Sequence, residues 1–457
     1  MQWLKLQFSH GVLLLLLGIV CWYGALGAWA LHNQQWNRHR VSCREPDSRL
    51  DFGSLKELRR QIALEGEGEV TGWGQSLSEE IRAGATSGVT RVDVIWLDGN
   101  ASLIWALPQA EGQFPGPKDT IGCAIDSKTA LKLFGSMNVI GKEVQIAGEQ
   151  MTIRGVFTLP EGISAVSSDP GRGLAFCPAA LAKESVRMTA LEFIPRPGPG
   201  ETAKEQAEKW MNAAAMGAGG SMDDHRDTQE LMALFTSLPG FRFMGLMLAE
   251  LYLMFIALTK AVWSRWITLV GDRSVSRRQL ISPVILWCAL TLALVITGVW
   301  AARLPAFGAS IPASFLPTRW SDFSFWPKKA EQLLQLHVRE RLSPALRPDL
   351  AERGLLTAGI LLSLLSPLLL WPARNALKRG IAQAGTGSIS ACAGALTMAA
   401  PLSLWLVRRV GWIPALLPGM AYLPVAFFAV LAAPRLIRQS EKVQAWLFGT
   451  AAGGMTM

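Results

Sequence analysis

Six long apolar runs limit what this chain can fold into. They lie at about residues 9–31, 243–262, 280–302, 355–372, 386–407 and 411–433. Each approaches the ~20 residues that a helix needs to cross a hydrocarbon layer ~30 Å thick. A soluble protein can bury one such helix in its core, but six in one sequence predict a multi-pass membrane protein. With 50% hydrophobic and 17% charged residues, a disordered or collagen-like chain is excluded.

The formal net charge of +9 hides two materials. Residues 32–240 hold 21 basic and 27 acidic side chains, whereas the remainder is strongly basic. A nucleic-acid binder would place its Lys and Arg on the folded polar domain, and here that domain is acidic, so no nucleic acid is expected as a partner. The basic residues instead fall in short loops between apolar runs. With the N-terminus inside, the cytoplasmic pieces hold Lys5; Lys260, Arg265, Arg273, Arg277 and Arg278; Arg374, Lys378 and Arg379; and Arg435, Arg438 and Lys442. Only Asp272 and Glu441 oppose them, as the positive-inside rule requires. Arg408-Arg409 and Arg38-His39-Arg40 run against the rule locally. Tryptophans at Trp263, Trp266, Trp300, Trp371 and Trp412 fall near run ends, where indoles meet the headgroup layer. Lys5 ahead of the first run and Ala28-Trp29-Ala30 at its end resemble a secretion signal. The run exceeds the about 7–15 apolar residues of a signal core, so an uncleaved anchor is expected.

The expected architecture is a membrane α-helical bundle of about six spans, with a large external α+β domain inserted between spans 1 and 2. In domain terms, 1–31 is the first transmembrane helix and 32–240 the extracytoplasmic domain. Residues 241–302 hold helices 2 and 3 with a cytoplasmic loop at 260–279, and 303–354 form an external loop. Residues 355–434 hold helices 4–6 and 435–457 a cytoplasmic tail. In the external domain, Ser54 and Glu57 form a candidate capping box. Val92–Leu97 reads as a strand, with Asp98-Gly99-Asn100 as a turn and Ala101–Leu107 as its partner. Ile121–Ile125 reads as a strand, and Asp126 can cap a helix that runs to Phe134 and stops at Gly135. Gly141–Ile146 and Gln150–Phe157 then pair across Ala147-Gly148-Glu149.

The stretch IGCAIDSKTALKLFGSMNVIGKEVQIAGEQMTIRGVF resembles the periplasmic core domain of MacB-type ABC transporter permeases. Asp126, Phe134, Gly135, Gly141, Gly148 and Gly155 carry the match. The order of one anchor, a large external domain and a membrane block is similar to the MacB/FtsX family. The resemblance implies a permease that transmits mechanical motion, dimerises with itself or a related permease, sits in the bacterial plasma membrane and is driven by a separate cytoplasmic ATPase. Its loop after the second span usually reads Arg-Arg-Glu-Ile-Gly-x-x-Arg-x-x-Gly-Ala-Ser-x-x-Gln and docks on that ATPase. Here Arg265, Ile267, Ser276 and Gln279 match, alongside Arg277 and Arg278, while Trp266, Thr268 and Ser274 depart. The extra hairpin at 386–433 and the 50-residue external loop also depart from the usual four-span member.

No G-x-x-x-x-G-K-[ST] phosphate loop occurs, so ATP is expected only on a partner subunit, with no cofactor bound by this chain. Gly198-Pro199-Gly200-Glu201-Thr202 is a Pro/Gly connector, and neither H-E-x-x-H nor G-x-S-x-G occurs; no enzyme is expected. Asp223, Asp224, His225 and Asp227 superficially resemble metal ligands, but adjacent carboxylates in a Gly/Met-rich stretch read as a solvated connector, and no metal is expected. Glu250 lies within the second span, where a charge must be neutral, paired with a neighbour such as Arg242, or functional. Ser390 and Gly394 form a small-x-x-x-small pair, and Leu333, Leu336 and Leu342 among charges suggest either an interfacial helix or a plain surface helix. Cys43, Cys123 and Cys177 are external and permit one disulfide with one thiol left over; which pair forms, or whether all three are simply buried, stays open. Two other functions compete with the permease reading: a membrane receptor or scaffold that works without an ATPase, and a proton-coupled carrier built around Glu250.

Overall fold

A computed structural model describes residues 2–36, 40–44, 52–65, 68–84, 87–160, 171–183, 186–198, 201–213, 221–271, 315–342 and 346–383, with scattered positions between 281 and 296. The hairpin expected at 386–433, Ser390 and Gly394 included, lies outside the described residues, and the 280–302 run is only partly described. Two compact units are formed. One comprises 29–232 and 311–358; the other comprises 1–28, 233–310 and 359–457. The external loop expected at 303–354 thus contributes most of its length to the same unit as the α+β domain.

That unit is built on a sheet. Its strands are β1 (Val41–Arg44), β2 (Gly68–Ala83), β3 (Ser87–Asp98), β4 (Gln109–Gly112), β5 (Gly122–Asp126), β6 (Glu143–Ile146), β7 (Glu149–Phe157), β8 (Gly173–Pro178), β9 (Ala190–Pro195) and β10 (Ser221–Asp224). The order is β10-β1-β9-β2-β3-β8-β5-β7-β4, and β6 pairs with both β2 and β7. The path β2-β3-β8-β5-β7-β6 therefore closes on itself. Most pairs are antiparallel, while β3–β8 and β5–β7 are parallel. Closure leaves those strands without a free edge and encloses one core: Ile81, Val92, Val94, Trp96, Cys123, Ile125, Val144, Ile146, Met151, Ile153, Val156, Ala175 and Cys177 are all essentially buried there. A second core gathers Val41, Cys43 and Val70 of the sheet with Leu55, Leu58 and Ile62 of helix α2 (Phe52–Glu65) and Trp210 of α5 (Ala203–Ala213). Each fully buried large side chain contributes roughly 1.5–3 kcal/mol relative to exposure.

The module from β5 to β7 follows its sequence signals. Asp126 accepts a hydrogen bond from the Thr129 N–H at 3.0 Å and caps α4 (Ser127–Phe134); Gly135 ends it at φ 68°, a left-handed backbone that glycine adopts without a Cβ clash. Ala147 and Gly148, with φ of 54° and 97°, make the two-residue turn between β6 and β7.

Two expectations are corrected. Ala101–Leu107 is not a strand paired with Val92–Leu97. Ala101–Ile104 forms a short helix, α3, because the Asn100 side chain accepts from the Ser102 N–H and caps it. The antiparallel partner of β3 is β2, whose sequence GEVTGWGQSLSEEIRA mixes glycine and charge and lacks an alternating apolar pattern. Ser54 does not cap a helix with Glu57: α2 already begins at Phe52, and Glu57 pairs with Arg60 one turn on.

The remaining helices are long. α1 is Gln2–Gln35, α6 His225–Gly271, α7 Phe325–Leu342 and α8 Arg347–Gln383. Among the described residues, three segments are long and apolar enough to cross a membrane: Ser9–Gln35, Thr228–Leu253 and Arg347–Arg379. The second starts earlier in sequence than the 243–262 run, since the helix is continuous from His225.

Candidate functional site

The densest buried chemistry in the sheet unit converges on the first turns of α8. Glu192, in β9, is fully buried and holds three donors: Trp73 Nε1 at 3.1 Å, the Ser42 hydroxyl, and Arg44 Nη2 at 2.7 Å. Arg40 Nε approaches the same carboxylate at 3.2 Å. Alternation along β1 aims Ser42 and Arg44 to one side while Val41 and Cys43 enter the second core. Arg44 then bridges to α8, donating from Nε and Nη2 to both oxygens of Asp349 at 2.8 Å, a bidentate fork. Its guanidinium also lies over the Trp73 ring, 5.2 Å from the centroid. Burial alone would lower the Arg44 pKa, but Asp349 and Glu192 hold it above its ordinary value.

Arg40, 1% exposed, donates to the carbonyls of Leu103 and Ile104 at 2.9 and 2.7 Å and pairs with Glu352 at 3.3 Å. Glu352 also meets His32 Nε2 at 2.9 Å. His32 stacks on Trp36, and Trp36 on Trp105, so the end of α1 is clasped by aromatic faces.

A neighbouring cluster uses Arg347. Its backbone N–H donates to Gln75 Oε1 at 3.0 Å, and its Nη1 donates to the Gly173 carbonyl at 2.7 Å and lies 3.6 Å from Asp93. Asp93, fully buried in β3, also accepts from Arg172 at 2.8 Å and from the Ser78 N–H at 2.9 Å, where β2 bulges. Arg347, Asp349 and Glu352, within six residues of one another, each carry an ion pair to a different part of the unit. Geometry of this kind fixes orientation: each pair needs its partner within hydrogen-bond range, and a carboxylate or guanidinium left alone there costs several kcal/mol.

In the other unit, Glu250 of α6 is 5% exposed and is paired with Arg374 and with Lys378, whose Nζ lies 3.0 Å away. Both partners belong to α8; Arg242 is not the partner. Of the other residues singled out in the sequence, Arg265, Trp266 and Ile267 lie in α6, with Trp266 stacked on Trp263 and Ile267 54% exposed. Ser276, Arg277, Arg278 and Gln279 lie outside the described residues. Asp126 also accepts from the Leu174 N–H at 2.8 Å, Phe134 packs against the first core under Lys142, and Gly141 has φ 81°. At Gly155 a Cβ would sit 2.4 Å from the Gln113 carbonyl oxygen, so only glycine lets that backbone approach. Asp223 and Asp224 end β10, and His225 and Asp227 begin α6. Among the described residues, no group of three or more His, Cys, Asp or Glu is arranged to hold a metal ion. Cys43, Cys123 and Cys177 are buried thiols.

Of the ionic residues, Arg40 was named in the sequence only as a local exception to the positive-inside rule, and Arg44, Asp93, Glu192, Arg347, Asp349 and Glu352 were given no role. A usable signal was the charged stretch Arg347-Pro-Asp-Leu-Ala-Glu-Arg353 abutting an apolar run, together with Glu192 inside the apolar strand ALEFIP.

Residues 34–211 match the model of the MacB-like periplasmic core domain. Two solved structures are similar at low identity. The extracellular domain of the noncanonic ABC-type transporter YknZ from Gram-positive bacteria is 15% identical over 40% of this chain and 99% of that one, with a TM-score of 0.29. The periplasmic region of MacB from Actinobacillus actinomycetemcomitans is 11% identical over 41% and 89%, with a TM-score of 0.31. No curated protein matches the chain. The sheet unit carries a MacB-like periplasmic core domain.

Proposed function

We propose that this chain is the membrane subunit of an ABC-type complex in which a separate cytoplasmic ATPase drives movement of the extracytoplasmic domain, for export or another envelope process. The spans number about six, both termini are cytoplasmic, and the subunit works as a homodimer or with a related permease. ATP is bound and hydrolysed by the partner. The observation that carries this reading is the ionic clamp on α8: Arg347, Asp349 and Glu352 fasten the start of an apolar helix of spanning length to Asp93, Arg44, Arg40 and His32 of the sheet unit. A displacement of that helix along its axis would pull on three ion pairs at once, and buried pairs resist separation strongly. A machine that works by moving its external domain has no need of a charged pore, in keeping with Glu250 being neutralised by two cations.

The test is affinity purification of the tagged chain from its native membranes in mild detergent. Recovery of a phosphate-loop ATPase, reduced by changing Arg265 and Ile267 to glutamate, is expected. Failure to recover any ATPase from crosslinked and uncrosslinked membranes alike would sink the reading. A scaffold that keeps this fold without an ATPase is supported by one observation, the replacement of the family's acidic docking residue by Trp266, which stacks on Trp263.

A further inference from the structure

Cys123 and Cys177 are free thiols in this structure, and the strand register brings these two, of the three external cysteines, opposite one another; we infer that oxidation joins them as a structural disulfide across β5 and β8. The inference rests on the proposed extracytoplasmic placement for its oxidising environment, but the pairing itself rests on geometry. Strands β5 and β8 are antiparallel, with Ala124 opposite Phe176 and Ile125 opposite Ala175. One further step in that register sets Cys123 opposite Cys177. Facing residues on antiparallel strands have Cα atoms about 4.5–5.5 Å apart, inside the about 4.4–6.8 Å that a disulfide spans. Side chains alternate along a strand, and Ile125 and Ala175 both point into the first core. Cys123 and Cys177, two residues away in each strand, therefore point there too, and both are 0% exposed in that core. Cys43 is buried in the second core, among Val41, Leu55 and Phe193, and has no part in this ladder.

Burial limits when the bond can form: both side chains are 0% exposed in the first core, so an oxidant reaches them only before that core closes. Burial pushes the Cys123 thiol up to about 12, with Asp119 adding to it. Burial raises the Cys177 thiol well above its ordinary value, and the neighbouring Cys123 raises it further. A thiol held protonated in an apolar core is a poor nucleophile, so the folded domain does not exchange these sulfurs readily. The bond is made while β8 is still open. The oxidant is a thiol–disulfide oxidoreductase of the extracytoplasmic space. One cysteine thiolate attacks the reactive disulfide of that protein and forms a mixed disulfide. The second cysteine thiolate then attacks the mixed disulfide, joining Cys123 to Cys177 and releasing the oxidoreductase as a dithiol. Two protons leave the cysteines and two electrons pass to the oxidant. Once β8 closes, the bond is sealed in the core and acts as a brace across the closed strand ring, not as a reversible sensor.

The experiment is peptide mapping of the full-length chain. Cells are quenched in acid, thiols are blocked with N-ethylmaleimide in denaturant, and the purified chain is digested without reduction. The expected result is a linked peptide joining Cys123 to Cys177, unchanged in Cys43→Ser, with Cys43 of the parent chain alkylated. Protease added to intact spheroplasts reports separately whether residues 32–240 are outside. Alkylated Cys123 and Cys177 in a domain that is accessible to protease would overturn the inference, as would a link to Cys43. If the domain is shielded from protease, the topology fails by itself. The pairing is then read on purified chain unfolded in urea and diluted into detergent with oxidised and reduced glutathione, where absence of the 123–177 link overturns it.

Discussion

The sheet unit and the helix unit handle buried charge in opposite ways. In the sheet unit, two arginines, two glutamates, an aspartate and a histidine share one network drawn from β1 and the residue before it, β9, α1 and α8, in which Arg40, Arg44, Glu192 and Glu352 each meet two ionic partners. In the helix unit, Glu250 meets two cations on a single neighbouring helix, and one of them, Lys378, is 48% exposed. The first arrangement specifies where several elements meet; the second only keeps a carboxylate tolerable in an apolar setting. Buried ion pairs contribute little net stability compared with apolar packing, so a network this large is better explained by the geometry it imposes.

Breaking the network should therefore cost more than breaking the pair. Glu192→Ala leaves Arg40 and Arg44, 1% and 16% exposed, with only Glu352 and Asp349 as carboxylate partners for two buried cations, and a loss of about 3–5 kcal/mol is expected, read as the unfolding midpoint of the purified chain by tryptophan fluorescence. Trp73 donates directly to Glu192, so its emission also shifts. A loss below that of Glu250→Gln would mean that the two units do not differ in the way described.

The cysteine pair offers a sharper contrast inside the sheet unit, between its two cores. If Cys123 is reduced, its folded thiol titrates near 12 against an ordinary value of 9.0. A raised acid pKa stabilises the fold fully below pH 9 and is lost as pH rises toward 12, because the unfolded thiols ionise first. Chain treated with reductant during refolding should show that alkaline fall, and oxidised chain should lack it. Closing the loop between residues 123 and 177 is worth about 4 kcal/mol on chain-entropy grounds, so the two forms also differ at neutral pH. Equal midpoints and equal alkaline slopes would remove the brace from the picture.

Glu250→Gln is expected to cost about 2 kcal/mol, less than Glu192→Ala, because Lys378 can turn toward water while Arg374 stays partly covered. Thermal unfolding in the same detergent measures it. Preserved assembly and activity in that variant would leave no room for a proton carrier centred on Glu250.

What could be read in advance depended on whether a signal was local. Asp126 and Gly135 bracket α4 with the cap residues that helix physics demands, and the turn at Ala147-Gly148 sits between two strands of the expected type, so that module was legible from its own residues. The partner of β3 was not. Asn100 looked like part of a hairpin turn but caps a helical turn, and the true partner, β2, carries Gly72, Gly74, Glu79 and Glu80 where an alternating strand was sought. The clamp was illegible for a different reason. Arg44, Glu192 and Asp349 are separated by up to 305 residues, and nothing in any one segment shows that a charge is buried.

The smallest expected effect tests the same distinction between local and distant signals. Glu57 and Arg60 form an i,i+3 pair on α2 with side chains 51% and 66% exposed. The Arg60 hydrogen bond holds the Glu57 carboxyl below its ordinary value, yet an exposed pair is screened by water and salt. Glu57→Ala should leave the unfolding midpoint unchanged within error, at low salt and at high. A capping box made by Ser54 and Glu57 would instead anchor the helix start, and the same substitution would lower the midpoint clearly at any salt concentration. A salt-independent fall would thus place the start of α2 at Ser54 instead of Phe52 and would detach the first turn of the helix from the second core. No change would leave Leu55, Leu58 and Ile62, each at most 4% exposed, as the residues that hold α2 on the sheet.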